Sequence, residues 1–70
     1  MKKVYIKTDF IKLGQFLKFV GEIENGSDAK EFLIINHITV NGEKEERRGR
    51  KISDDFIVDV NGNKYLVKKG

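Results

Sequence analysis

Ile38-Thr39-Val40-Asn41-Gly42-Glu43-Lys44-Glu45 alternates in character on both sides of an Asn-Gly pair. That pair readily takes the two consecutive positive φ values of a type I′ turn, so the segment predicts a tight antiparallel hairpin. Phe56-Ile57-Val58-Asp59-Val60-Asn61-Gly62-Asn63-Lys64-Tyr65-Leu66-Val67 repeats the logic. There Phe56, Val58 and Val60 face one way, and Tyr65 and Val67 are available across the turn. Two hairpins make a small sheet with an apolar face, and the residues upstream must cover it.

They do so at helical spacing. Leu13, Phe16, Leu17 and Val20 follow the i, i+3, i+4, i+7 pattern of an amphipathic helix, and Gly21 is placed to stop it. Glu24-Asn25-Gly26-Ser27 is a turn, after which Ser27 and Asp28 offer an N-cap and a favourable first-turn charge. A second helix is expected to run from 27 to 35, with Ala29, Phe32, Leu33 and Ile35 apolar and Asn36 ending it in the left-handed region. Residues 2–7, KKVYIK, put Val4 and Ile6 on one side and suit a lysine-flanked edge strand. The expected architecture is α+β, with two short helices packed on one face of a small, mainly antiparallel sheet.

Seventy residues enclose one core, and without proline or a linker-like tract the chain reads as a single domain over 1–70. Hydrophobic residues at 39% and charged residues at 36% exclude both a disordered chain and a membrane-spanning one. The absence of cysteine removes disulfides and zinc-thiolate sites and points to the cytoplasm. The longest apolar run, Phe32-Leu33-Ile34-Ile35, is too short for a signal peptide or a membrane anchor. A net charge of +3 permits a polyanionic partner without requiring one.

Distribution is more informative than net charge. All three arginines fall within Arg47-Arg48-Gly49-Arg50-Lys51, whereas lysines are scattered from end to end. Arginine's planar donor fork matches phosphate and stacks on bases, so its confinement to one loop reads as a contact surface. So dense a run of like charge is costly to fold unless an anion relieves it, and RNA phosphate is the expected anion. The bland alternative is a solvated loop balanced by Glu43, Glu45 and Glu46. Gln15 and Lys18 on the first helix, with Ser27, Lys30 and His37 near the outer side of the second, could extend the patch. A basic loop carried by a hairpin, beside a helix start with free N–H groups, would form one electropositive ledge.

Catalysis finds no support. His37 is the single histidine and has no identifiable partner, so Ser27 and Ser53 lack a base to activate them. Asp54, Asp55 and Asp59 lack the spacing of a calcium loop, and the glycines at 14, 21, 26, 42, 49 and 62 form no phosphate-binding fingerprint. No cofactor, metal or small-molecule substrate is expected.

Ser27-Asp28-Ala29-Lys30, continuing through Phe32-Leu33 and His37-Ile38-Thr39-Val40-Asn41-Gly42, resembles the S-four RNA-binding domain, the αL module named after a small-subunit ribosomal protein. The segment Ile11 to Lys18, the Asn25-to-Lys30 turn, and Asn41-Gly42-Glu43 followed by Arg47 to Ile52 look like its stand-alone YaaA/YbcJ-like group. The resemblance spans residues 4–67. It departs at Lys12, where that group tends to have a capping hydroxyl, at Gly26 and Ile34, where basic or polar residues are common, and at Asp54, which replaces a usual glycine.

The resemblance implies a non-catalytic module that binds structured RNA, ribosomal or transfer RNA, through the helix pair and the adjoining loop. Ribosomes or ribosome-assembly intermediates are then the implied partners. By position, the contact candidates become Gln15, Lys18, Ser27, Lys30, Arg47, Arg48, Arg50 and Lys51. The rival expectation is a protein-interaction adaptor on a ribosome-associated factor, with Ile34 or Phe19 as exposed anchors.

Overall fold

The computed structural model describes residues 1–70. Its strands are β1 (Lys2–Ile6), β2 (Phe10–Lys12), β3 (Ile38–Val40), β4 (Glu43–Lys44), β5 (Lys51–Ser53), β6 (Ile57–Val60) and β7 (Asn63–Lys69), with helices α1 (Leu13–Phe19) and α2 (Ala29–Ile35) between β2 and β3. Five strands form a sheet in the order β1-β7-β6-β3-β4, and β2 pairs with β5 in a separate two-stranded ribbon. The fold is α+β and mainly antiparallel, as the pattern predicts.

Both Asn-Gly turns form as expected. Asn41 and Gly42 have φ of 52° and 87°, and Asn61 and Gly62 have φ of 52° and 95°. The asparagines then bond outwards: Asn41 Oδ1 accepts from the Ile57 N–H at 2.9 Å, and Asn61 Oδ1 accepts from the His37 N–H at 2.9 Å. Each turn is thereby stitched to a neighbouring element. β1 lies at the sheet edge, with Val4 and Ile6 buried, and pairs in parallel with β7 so that Val4 faces Val67.

Leu13, Phe16 and Leu17 of α1 and Ala29 and Leu33 of α2 join the inward residues of the strands in one apolar cluster. The Phe16 ring meets Tyr65 edge-on, with centroids 5.6 Å apart, and the Tyr65 hydroxyl donates to Glu22 Oε2 at 2.7 Å. Its partly polar body is thus buried without an unpaired oxygen.

Several local expectations are corrected. The second helix is preceded by a 3-10 turn, Gly26–Asp28, so α2 starts at Ala29 and Ser27 makes no capping bond. Asn36 stops α2 in extended backbone, with φ of −103°, and its Nδ2 donates to the Phe32 carbonyl at 3.0 Å. The Asn36 backbone N–H donates to the same carbonyl at 3.0 Å, so the side chain adds a second bond at the helix end without any left-handed residue. The turn before β6 is one that aspartate tolerates, with Asp55 in the left-handed region at φ of 68°. Beside it, Asp54 Oδ1 accepts from the Lys69 N–H at 2.8 Å.

Candidate functional site

The arginine run does not sit on a hairpin. It occupies the crossing from β4 in the large sheet to β5 in the small ribbon, and it passes the start of α1. Lys12 caps that helix with no side-chain bond. The Leu13 N–H donates to the Arg50 carbonyl at 2.8 Å, and the Gly14 N–H donates to the Arg48 carbonyl at 2.9 Å. The loop backbone therefore does what a capping hydroxyl would have done. Those two N–H groups are spent on the protein itself, which corrects the expectation that they stand free for phosphate.

Gly14 explains how the loop comes so close. A Cβ there would lie 3.2 Å from the Ala29 Cβ and 3.3 Å from the Arg48 Cβ, so the glycine marks where α1, α2 and the loop meet. Sequence reading treats Gly14 as one glycine among several and misses this role; its place in the first turn of a helix, away from any turn, was the available signal.

Glu45 is the second residue the sequence undervalues. It is buried, and its two oxygens collect five hydrogen bonds. Oε1 accepts from Arg47 Nη2 at 2.9 Å and from Arg50 Nη1 at 3.0 Å; Oε2 accepts from Arg47 Nε at 3.0 Å and from the Glu46 and Arg47 N–H groups at 3.1 Å. The Arg47 side chain, above all, holds this carboxyl down at about 2 against the desolvation that would raise it. Part of the relief expected from an external anion is thus supplied from within. Arg50 also lies 5.8 Å from the centre of the Phe56 ring, a cation-π distance.

Arg48 is different. It is exposed, forms no ion pair, and lines a cleft of about 280 Å³ with Lys12, Gly14, Gln15, Gly26 and Gly49. This cleft brings together two of the expected contacts, Gln15 and Arg48, and adds Lys12. Lys18 lies on the same exposed side of α1 as Gln15 and shares a second groove with it. Lys51 sits over the Phe10 ring, 4.8 Å from its centre. Ser27 and Lys30 are exposed on the 3-10 turn and α2, and they line neither of these spaces.

The aspartates that raised the question of a cation are engaged elsewhere. Asp55 pairs with Lys68, Asp59 Oδ1 accepts from the Gly62 N–H at 2.7 Å, and Asp54 is held by β7 as described.

An S4 domain family model matches residues 4–68. A similar curated protein is the "probable ribosome maturation protein RlbA" of Bacillus subtilis strain 168, 42% identical over 59 residues, which are 84% of this chain and 83% of that protein.

Proposed function

This chain belongs to the S4 domain family, and from that premise we propose that it is a non-catalytic RNA-binding module that contacts structured ribosomal RNA during ribosome maturation. The observation that carries the reading is the cleft at Gly14, where the exposed and unpaired Arg48 lies beside Lys12 and Gln15. No carboxylate lines that cleft, so an entering phosphate meets two cations and the Gln15 amide with no negative charge against it. Arg47 and Arg50 act one step back: their pairing with Glu45 fixes the loop that carries Arg48. Ser27, Lys30, Lys18 and Lys51 extend the contact along the exposed sides of the two helices and β5. A relative named for ribosome maturation supports the choice of ribosomal over transfer RNA, and with it a place in the cytoplasm.

A second reading has its own observation. Ile34 and Ile35 are 57% and 69% exposed, and Ile35 lies in a shallow hollow with Asp28, Glu31 and Phe32. This apolar and acidic side of α2 repels RNA and suits a protein partner, so an adaptor role could coexist with RNA binding.

Crosslinking in cells, followed by sequencing of the recovered RNA, tests the leading reading. It predicts enrichment of ribosomal RNA at a small number of structured positions. Recovery of no RNA above background, with a protein partner retained, would replace it by the second.

A further inference from the structure

The exposed aromatic rings are not scattered. Phe10, 38% exposed, and Phe19, 61% exposed, line a groove of about 550 Å³ with Thr8, Ile11, Gln15 and Lys18. Phe19, Ile11 and Thr8 also line an adjoining hollow of about 290 Å³, where Tyr5 and Lys7 join them. The core face of α1 is complete without Phe19, because Leu13, Phe16 and Leu17 are fully buried on the opposite side. An exposed phenylalanine there costs solubility and adds nothing to the core.

The charge around these rings is of one sign. Lys18 and Lys7 line the two spaces, and Lys51 holds its ammonium against Phe10. No aspartate or glutamate lines either space, and Asp9, the one carboxylate of the β1–β2 loop, is tied to Lys69. A purely apolar protein segment would use the rings and leave the lysines unmatched. A nucleotide uses both, since every base offers a π-face and each flanking phosphate a negative charge.

We infer that this groove is a stacking site for one unpaired nucleobase of RNA, its ring against Phe19 and Phe10 and its phosphates toward Lys18 and Lys51. The inference rests on the RNA-binding reading and extends it. Gln15 lines both the Arg48 cleft and the groove, so paired RNA on the cleft can deliver an adjacent unstacked base to the rings.

The test compares a blunt RNA hairpin with the same hairpin bearing a short single-stranded 3′ extension that contains 2-aminopurine. Affinities are measured for the full chain and its Phe19→Ala, Phe10→Ala and Phe19→Tyr variants. In the parent the extension should strengthen binding by about five- to a hundredfold, the range set by aromatic stacking of one base. Its 2-aminopurine emission should fall on binding. Phe19→Ala and Phe10→Ala should abolish most of that gain while leaving the blunt hairpin's affinity unchanged, and Phe19→Tyr should keep it. Equal binding of both hairpins by the parent, or a gain that survives both alanine variants, would overturn the inference, leave RNA binding intact and favour a protein segment in the groove. Failure of the parent to bind either hairpin would overturn the RNA reading and the stacking site together.

Discussion

Arg47 and Arg48 are adjacent in sequence and do different work in the structure. Arg47 bonds to the buried Glu45, whereas Arg48 faces the cleft without a carboxylate partner. Nothing in the string Glu45-Glu46-Arg47-Arg48 distinguishes them, because the distinction arises from the path of the loop. Glu45→Gln removes the charge that organises the loop and should cost about 1.5–3 kcal/mol of stability, the range for hydrogen bonds to a charged group. The same residue sets a pH dependence. Its carboxyl falls from an ordinary 4.5 to about 2 in the folded state, so its stabilising contribution is complete above about 4.5 and disappears as pH falls toward about 2. Urea unfolding at stepped pH should show the Glu45→Gln variant losing less stability across that window than the parent. Asp9 and Asp54 are also held low, so a residual slope should remain. At the alkaline end, the hydrogen bond to Glu22 pushes Tyr65 up to about 12 from an ordinary 10. The neutral phenol therefore stabilises the fold below about 10 and ceases to do so as pH rises through about 12. A Tyr65→Phe variant should show a flatter alkaline limb of the same titration.

Helices and hairpins were legible because their signals are local. Leu13, Phe16 and Leu17 mark a helical face within one turn and a half, and an Asn-Gly pair marks a turn within two residues. β2 and β5 were not legible. Each has three residues, and Ile11 pairs with Ile52 across more than half of the chain, so no window contains the pattern. The cap of α1 was hidden for the same reason: its acceptors are carbonyls of Arg48 and Arg50. Ser27 illustrates the opposite failure, a good capping residue that the 3-10 turn leaves unused. At this scale the core expectation stands, with Phe16 and Leu33 both fully buried. Truncating either to alanine should cost about 2–5 kcal/mol and lower the thermal midpoint sharply in so small a domain. Gly14→Val makes a sharper test of assembly. Its added methyls would press on Ala29 and Arg48, so calorimetry should show a loss of about 1–3 kcal/mol, with RNA affinity reduced further as Arg48 is displaced.

For the whole molecule, charge placement matters more than net charge. Lys68 and Lys69 are neutralised by Asp55 and Asp9, and Arg47 and Arg50 share Glu45. What remains unpaired beside the α1 start is Arg48 and Lys12, with Lys18 unpaired one groove away in the last turn of the helix. The sequence directs attention to the correct loop, because arginine is confined to it. It does not separate the arginine that faces the cleft from those that brace it, and Lys12 and Gly14 enter the site only through the fold. The same pairing decides which lysines serve as controls: Lys3 and Lys64 are exposed and form no ion pair, whereas Lys68 is engaged. The most direct test of a localised phosphate-binding cleft is the affinity for one folded ribosomal RNA fragment, measured across a salt series for two double variants. Lys12→Ala/Arg48→Ala and Lys3→Ala/Lys64→Ala remove the same charge from different places. The cleft variant should bind more weakly, its log-log salt slope shallower by about 0.7–0.9 for each phosphate it no longer neutralises, while the control stays near the parent. Equal weakening and equal slopes in the two variants would contradict the account, since only net charge would then govern binding.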